Sequence, residues 1–369
     1  MLKRTGAGLL GAATALVITA GALAAPAVAA RDDHRATQRA LDEAVTEGVP
    51  GVTARASADG RSWQGTSGRR GARDHYRVGS LTKTFVATVV LQLEAEGRLD
   101  LDDTVGHWLP GLVEGHGYEP DRITLRHLLG HTSGIHDYLE DPQFAQTYLT
   151  KNFLDHRFDT FTPEQLVGFG VRNEPRFAPG ARWDYSNTNY ALAALIVEKA
   201  TGHAYGDEIE RRITGPLKLR ATSVPGTDPR LPRPRSRAYS KLGDPTGDTY
   251  DVTEYNPSGA YGSGEMISDS ADLNRFYAAL LRGELLPPAQ LAEMTTTVPV
   301  GARDPDSGYG LGLQRWKLAC GVVVWGHGGD IHGSSAMALT TRDGRHSLAF
   351  DFNADWAGSW RKVAVAEYC

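Results

Sequence analysis

The sequence is poor in cysteine and has no block of basic charge. Cys320 and Cys369 are its only cysteines, so the chain can form at most one internal disulfide. Thirty-nine basic residues stand against 44 acidic ones, which gives a formal net charge of −5. Without a basic patch, a nucleic acid is not expected as a partner.

Long apolar runs are also missing after the N-terminus. No stretch beyond residue 30 approaches the ~18 apolar residues that a membrane-spanning helix needs. At the N-terminus, Lys3 and Arg4 precede an apolar stretch over residues 7–25, and small residues follow at Ala27-Val28-Ala29. This pattern predicts a signal peptide over residues 1–30, a mature chain from about residue 31, and secretion without a stable membrane anchor. An uncleaved anchor is the alternative.

The composition is that of a large folded enzyme. Of the 369 residues, 41% are hydrophobic and 22% charged, which excludes disorder, collagen-like repeats and coiled coil. The length suggests two domains, or one large domain with an inserted lobe. In a secreted chain, an even pair of cysteines predicts one disulfide, Cys320–Cys369, with two free thiols as the alternative.

Strand patterns at both chain ends enclose a helical middle. We predict helices over residues 36–48, 80–97, 125–129, 163–171, 189–200, 271–282, 288–294 and 356–367, and strands over 52–57, 62–66, 309–315, 322–325, 336–340 and 347–351. The helix over 80–97 is apolar all round, which predicts burial at the centre of the protein. The prediction is an α/β fold of the α+β type. Its antiparallel sheet is built from the N- and C-terminal segments and flanked by helices.

This order of helices and strands predicts a single catalytic domain over residues 31–369. Its α/β lobe would comprise about residues 31–100 and 300–369, and an inserted, mostly helical lobe about residues 101–299.

The central helix begins with a pair of residues suited to acyl transfer. Ser80 and Lys83 are three residues apart, so their side chains share one helix face. The helix N-terminus favours a developing anion, and burial would lower the pKa of Lys83 enough for it to take a proton. On its own, Ser-x-x-Lys is a weak motif; an N-cap serine beside a lysine that reaches solvent is the structural alternative.

Two further motifs follow in order along the chain. Tyr185-Ser186-Asn187 supplies Tyr-x-Asn, and His327-Gly328-Gly329 follows an apolar strand. With Ser80 and Lys83 they resemble the three signatures of the serine penicillin-binding proteins and class C β-lactamases. The greatest similarity is to the secreted serine D-alanyl-D-alanine carboxypeptidases, and it covers essentially the whole mature chain.

The resemblance implies a role for each motif residue. Ser80 would be the nucleophile. Lys83 and Tyr185 would share the work of general base, with the lysine holding down the pKa of the phenol. Asn187 would position Lys83 and the substrate, and His327 would assist electrostatically or as a proton relay.

The resemblance also implies how substrate is held. The backbone N–H groups of Ser80 and Asp330 would form the oxyanion hole. Substrate would lie along Gly328, Gly329 and Asp330, with Gln314 beside them. Phe144 is a candidate aromatic wall, and plain core packing is its alternative.

Metal and cofactor chemistry has no support in the sequence. His127, His131 and His136 lie close together, but no His-Glu-x-x-His motif accompanies them, and structural roles are expected. The glycines at 259, 262 and 264 match no phosphate-binding loop. No cofactor and no metal are expected.

The sequence departs from the carboxypeptidase pattern where the terminal carboxylate of D-alanine is held. Threonines and an arginine serve there in the family, whereas this chain has Gly328, Asp330 and Gln314. The expected function is a D-alanyl-D-alanine carboxypeptidase acting on peptidoglycan stem peptides, as a monomer acylated by β-lactams. A D-stereospecific peptidase, amidase or esterase is the alternative; a β-lactamase or a non-catalytic penicillin-binding protein has less support.

Overall fold

The computed structural model describes residues 34–301 and 306–369. The predicted signal peptide lies outside the described residues, so its cleavage and the secretion of the chain stay predictions. Within the described ranges, no helix is both long enough and apolar enough to cross a bilayer.

Helices and strands follow the predicted order. In the described residues the helices are α1 (Arg35–Thr46), α2 (Thr82–Ala95), α3 (Val105–Trp108), α4 (Leu125–Leu129), α5 (Pro142–Tyr148), α6 (Phe153–His156), α7 (Pro163–Val171), α8 (Thr188–Thr201), α9 (Tyr205–Ile209), α10 (Gly215–Leu217), α11 (Ser270–Leu281), α12 (Pro288–Thr295) and α13 (Trp360–Tyr368). The strands are β1 (Gly51–Ala58), β2 (Arg61–Gly68), β3 (Tyr76–Arg77), β4 (Tyr239–Ser240), β5 (Tyr250–Asp251), β6 (Ile267–Ser268), β7 (Val298–Pro299), β8 (Ser307–Tyr309), β9 (Gln314–Lys317), β10 (Val323–Ile331), β11 (Ser334–Thr341) and β12 (His346–Phe352).

The main sheet joins the two ends of the chain. Its strand order is β2-β1-β12-β11-β10-β9-β8-β7, and every neighbouring pair is antiparallel. The N-terminal hairpin β1–β2 therefore pairs directly with β12 near the C-terminus. This confirms the predicted antiparallel sheet built from the terminal segments and flanked by helices.

Alternation along the strands separates two hydrophobic cores. On β11, Ala336 and Ala338 belong to the core that contains α2, α8 and α11, whereas Met337 and Leu339 belong to the core beneath α1 and α13. Successive side chains of a strand point to opposite faces of the sheet. The catalytic helix and the terminal helices consequently lie on opposite faces.

Helix α2 is buried on nearly every side, as its apolar sequence predicts. Eleven of its 14 residues are buried, and Lys83 is 0% exposed. A lysine so completely removed from water must have polar partners, and these partners define the candidate active site.

Three predicted elements differ at their ends. The strand predicted over residues 309–315 is two strands, β8 and β9, because the chain turns at Gly312, where φ is +69°. The strand predicted over 322–325 continues to Ile331, so His327–Asp330 lie within β10. The last helix begins at Trp360, which leaves Trp356 free to line the cavity described below.

The predicted disulfide is confirmed. Cys320, in the turn between β9 and β10, is bonded to Cys369, and their Cα atoms are 5.9 Å apart. The bond attaches the end of α13 to the sheet and closes a loop with a sequence separation of 49 residues.

Removing this disulfide is expected to lower stability and leave catalysis unchanged. For a loop of about 50 residues, the loss in unfolding free energy is at most about 4 kcal/mol. Helix α13 lies in the core opposite α2, so kcat of the folded Cys320→Ser/Cys369→Ser variant should match that of the wild type. Urea unfolding and steady-state kinetics measure the two effects. The prediction would be contradicted if the variant had the same free energy of unfolding as the wild type. Finding two free thiols in the unreduced wild type would contradict it as well.

Candidate active site

The turn that carries Ser80 is held against strand β10. Ser80 lies in the 3-10 turn Gly79–Leu81 that leads into α2. Gly79 has a φ of +55°, and a Cβ there would lie 2.9 Å from the backbone N of Asp330. A Cβ on Gly329 would collide with the Val78 carbonyl oxygen. Because only glycine permits this approach, the amides of Ser80 and Asp330 lie on facing segments, as the predicted oxyanion hole requires.

Lys83 is held by three oxygen atoms. Its Nζ donates to Asn187 Oδ1 at 2.7 Å and to the Ser263 carbonyl at 2.7 Å, and lies 3.1 Å from Ser80 Oγ. Asn187 Oδ1 and the carbonyl are acceptors only. They can take both hydrogens of a neutral amine, which leaves its lone pair facing the Ser80 hydroxyl.

The charge state of Lys83 is set by burial and by a nearby carboxylate. Burial lowers the pKa of Lys83 from 10.5 to about 7, against the attraction of Asp137. Asp137 is buried too, which raises the pKa of its carboxyl. The amide of Asn187 joins the two groups, since its Nδ2 donates to Asp137 Oδ2 at 2.8 Å while its Oδ1 accepts from Lys83.

Tyr185 stands on the other side of Ser80. Its hydroxyl interacts with the Ser80 side chain, and Lys83 Nζ lies 4.8 Å from its ring centroid. The prediction that Lys83 holds down the pKa of this phenol is wrong. Burial first, and then Tyr309, raise the pKa of Tyr185 well above its ordinary value, against the hydrogen bond with Ser80. At neutral pH the phenol keeps its proton.

His327 completes the motif set as a neutral imidazole. Burial and the nearby Lys83 lower the pKa of His327 to about 3. Its Nδ1 lies 2.5 Å from the Gly328 carbonyl, and its Nε2 lies 3.1 Å from the Tyr309 hydroxyl. Since a carbonyl only accepts, Nδ1 carries the proton and Nε2 accepts from Tyr309.

Strand β10 offers an open edge beside Ser80. It pairs with β9 only from Val323 to Gly326, whereas its pairing with β11 continues to Ile331. From His327 to Ile331 the β9 side of the strand is therefore unpaired. An extended substrate can lie along such an edge, and Gly328 and Gly329 place no side chain there beyond Cα.

A cavity of about 440 Å³ opens at Ser80. Asn187, Ser263 and Asp330 join Ser80 in its lining. The apolar part of the wall comprises Tyr138, Leu139, Tyr148, Leu149, Pro245, Ile331 and Trp356. The cavity can therefore hold an apolar side chain next to the nucleophile.

Acidic groups dominate the charge of this cavity. Asp244, Asp330 and Asp355 line it together with Lys241. Asp330 is exposed on the wall and accepts a 2.6 Å hydrogen bond from Ser335; partial burial of its carboxyl still raises its pKa. The Lys241 ammonium is already engaged, donating to the Pro245 carbonyl at 2.6 Å and lying 5.7 Å from the centroid of the Trp356 ring.

The structure buries one predicted substrate contact, Phe144, behind the cavity wall. Phe144 is 1% exposed and packs against Tyr138, Tyr148, Phe161 and Phe169. Phe144 therefore packs behind the cavity wall. The prediction that it forms an aromatic wall of the pocket is wrong, and its alternative, plain core packing, is what the structure shows. Gln314 pairs with Gly326 at the start of β9, just before the unpaired edge of β10 begins, so its contact with substrate stays a prediction.

Sequence reasoning missed Asp137, Ser263 and Tyr309. Asp137 follows His136 in a loop, Ser263 contributes only a backbone carbonyl, and Tyr309 precedes a turn. None belongs to a local motif. The sequence around Tyr309 and Ser263 is rich in glycine and aromatic residues. This pattern marks turns but does not predict a contact with Lys83 or His327.

The histidine cluster forms no metal site. In residues 34–301 and 306–369, no group of three or more His, Cys, Asp or Glu side chains is arranged to hold a metal ion. His127 instead accepts from the Thr124 backbone N–H at the start of α4, and His131 contacts the Tyr185 segment.

Known proteins share this fold and are similar in sequence. The family model described as Beta-lactamase matches residues 35–357. Penicillin-binding protein 4* of Bacillus subtilis is 30% identical over 296 residues, which cover 76% of this chain and 61% of the relative. The chain thus spans less than two thirds of that relative's length.

Solved structures match over more of their length. A D-stereospecific amidohydrolase from Streptomyces sp. is 58% identical with a TM-score of 0.90, covering 91% of this chain and 99% of the other. The D-amino acid amidase from Ochrobactrum anthropi SV3, complexed with L-phenylalanine amide, is 28% identical with a TM-score of 0.76, covering 90% and 95%. This chain belongs to the β-lactamase and penicillin-binding-protein family of serine hydrolases.

Proposed function

We propose that this chain hydrolyses amides or esters of D-amino acids through an acyl-enzyme on Ser80, and that it favours substrates whose leaving group is neutral. The observation that carries the proposal is the charge beside the nucleophile. Asp330 lines the cavity with Ser80, and neither Arg315 nor Arg182 lines it. Arg182 instead pairs with Asp184, with 3.3 Å between Nη1 and Oδ2.

A terminal carboxylate on the substrate would meet unfavourable electrostatics here. At ~5 Å from an ionised Asp330 and an effective dielectric of about 20, repulsion reaches at most about 3 kcal/mol. Solvent screening reduces this figure, since Asp330 is exposed. A preference of about tenfold for neutral over charged leaving groups corresponds to about 1.4 kcal/mol, which lies within that range.

The 58% identity to a D-stereospecific amidohydrolase supports the same substrate class. The Bacillus penicillin-binding proteins favour the second candidate, a D-alanyl-D-alanine carboxypeptidase of peptidoglycan stem peptides. Both candidates use one acyl-transfer machinery and both make β-lactams expected acylating ligands. The N-terminal sequence supports a secreted enzyme, and a monomer remains the expectation.

Acylation begins with neutral Lys83. The amine takes the proton of Ser80 as Oγ attacks the substrate carbonyl, and the backbone N–H groups of Ser80 and Asp330 stabilise the oxyanion. When the intermediate collapses, the C–N or C–O bond breaks. The protonated phenol of Tyr185, held at Ser80, then gives its proton to the leaving amine or alcohol and recovers one from the Lys83 ammonium.

Deacylation repeats these steps with water. A water molecule loses its proton to the neutral amine and attacks the ester carbonyl. The Ser80–acyl bond breaks, the Lys83 ammonium returns its proton to Ser80 Oγ, and the D-amino acid leaves. His327 is neutral before substrate binds and accepts a hydrogen bond from Tyr309.

A panel of leaving groups tests the proposal. We expect kcat/KM for D-phenylalanine amide, for its methyl ester and for peptides ending in D-alaninamide to exceed that for the same peptides ending in free D-alanine by about tenfold or more. The matching L-enantiomers should react far more slowly. If peptides ending in free D-alanine were cleaved as fast as the amides or faster, the proposal would be wrong and the carboxypeptidase function would be favoured.

Two variants separate the charge of Asp330 from its shape. Asp330→Asn keeps the size of the side chain and should raise kcat/KM for the free acid by about tenfold, with a small effect on the amide. Lys241→Met is the matched control. If Lys241 instead bound a substrate carboxylate, this change would selectively slow cleavage of the peptide ending in free D-alanine. That result would contradict the proposal that the cavity disfavours a carboxylate.

A further inference from the structure

His131 is a buried histidine that no catalytic motif includes. It is 0% exposed and follows Gly130 after α4, with a φ of +55°, which is rare for a residue with a side chain. Its backbone carbonyl accepts from the Asp184 N–H at 2.9 Å. This hydrogen bond fixes the backbone of His131 beside the segment that carries Tyr185.

The hydrogen bonds of His131 fix its tautomer. Nδ1 lies 3.1 Å from the Ser186 backbone N and 3.2 Å from Asn189 Nδ2. Asn189 Oδ1 already accepts from Ser133 at 2.6 Å, so its Nδ2 is the donor. With donors on this side, Nδ1 must be bare, and the ring proton is on Nε2.

The other face of His131 leads to His327. Nε2 donates to the Tyr309 hydroxyl at 3.1 Å, and that hydroxyl donates to His327 Nε2, also at 3.1 Å. Neighbouring Tyr190 uses its own proton on the Leu129 carbonyl, at 2.8 Å. Each proton in the chain His131–Tyr309–His327 therefore has one acceptor.

The imidazole of His131 thus contacts both sides of the catalytic centre. It anchors the amide of Ser186, which lies between Tyr185 and Asn187, and its ring centroid lies 4.1 Å from that of Tyr185 at an interplanar angle of 31°. Burial, with Lys83 and His327 nearby, lowers the pKa of His131 well below its ordinary value, so the ring is neutral. A neutral ring can keep one donor and one acceptor permanently in place.

We propose that His131 is a positioning residue, which through Ser186 and Tyr309 holds Tyr185 and Asn187 in register with His327. It touches neither Ser80 nor the cavity, so its effect on turnover passes through these neighbours. The proposal rests on the catalytic roles given above to Ser80, Lys83 and Tyr185.

A double-mutant cycle tests it. His131→Asn keeps an acceptor for Ser186, tolerates a positive φ and is too short to donate to the Tyr309 hydroxyl. Tyr309→Phe removes the same hydrogen bond by deleting that hydroxyl. We expect each single variant to lower kcat by about tenfold, with KM within about twofold. The double variant should be no more than about twofold slower than the slower single variant, because both changes break one chain.

The assay counts acylated sites, so that misfolding is not mistaken for lost positioning. Full-length protein is titrated with a fluorophosphonate, and kcat is expressed per labelled site. His127→Asn is the matched control, because it weakens the start of α4 but leaves the Tyr185 segment untouched; its kcat per site should equal that of the wild type.

Two results would overturn the assignment. One is a kcat per site within twofold of the wild type for both single variants, which would make His131 purely structural. The other is a kcat per site about a hundredfold lower in the double variant, the product of the two single losses, which would show that the two residues act independently. If Ser80→Ala remained active, the proposed catalytic roles would fail instead, and that result is separable from these two.

Discussion

Replacing Ser80 by alanine is expected to lower turnover by roughly 10³-fold or more while leaving the fold intact. The hydroxyl is the group toward which Lys83 and Tyr185 both converge, so no neighbouring side chain can take over its role. Covalent labelling by benzylpenicillin or a fluorophosphonate should be abolished in the same variant. Steady-state kinetics and intact-mass spectra measure the two effects.

Ser133→Ala is the matched control for this experiment. Ser133 occurs in a His-Thr-Ser-Gly run, but its hydroxyl donates to Asn189 at 2.6 Å inside the core. This variant should lose some stability and keep covalent labelling on Ser80. Labelling is the readout here, and not turnover, because Ser133 also orients the Asn189 amide that donates to His131. An adduct that persists on Ser80→Ala, or one that disappears on Ser133→Ala, would contradict the assignment of the nucleophile.

Lys83→Met is expected to lower kcat by about 10³-fold, in the range of a lost general base. Lys83→Arg separates base from charge, because a guanidinium keeps the positive charge but cannot lose its proton near neutral pH. We expect Lys83→Arg to be as inactive as Lys83→Met. Recovery of more than a tenth of wild-type turnover by the arginine variant would show that charge alone suffices.

The pH dependence of the wild type follows from the same lysine. Burial lowers the pKa of Lys83 to about 7, and only the neutral amine can accept the Ser80 proton. The rate constant kcat/KM should therefore be low below pH 7 and rise as the pH passes through about 7. This limb should be absent from the residual activity of Lys83→Met. A profile flat from pH 5 to 9 would contradict the role of Lys83 as base.

The local motifs predicted which side chains lie together. Ser80 and Lys83 share a face of one helix because their spacing requires it, and the apolar sequence of α2 already implied a buried lysine. The pairing of the N-terminal hairpin with the C-terminal strands followed from strand patterns at both ends. The structure brings Tyr185 and Asn187 from one segment, and His327 from another, to the centre formed by Ser80 and Lys83.

The surroundings of these groups could not be predicted in the same way. The far wall of the cavity comes from residues 240–245, in a segment rich in proline, glycine and aspartate, and from Trp356. No periodicity places such a segment against Ser80. Asp137 and Tyr309 likewise act through contacts distant in sequence, and the cavity position predicted for Phe144 failed because an aromatic cluster buries that ring behind the wall.

The central claim is that turnover passes through an ester on Ser80. Mass spectrometry of wild-type enzyme quenched with acid during hydrolysis of D-phenylalanine methyl ester tests it most directly, with the protein then digested and its peptides mapped. We expect the mass of the D-phenylalanyl group to appear on the peptide containing Ser80 and to disappear as substrate is exhausted. An acyl group on another residue, or full turnover with no acyl group even at the shortest quench times, would contradict it.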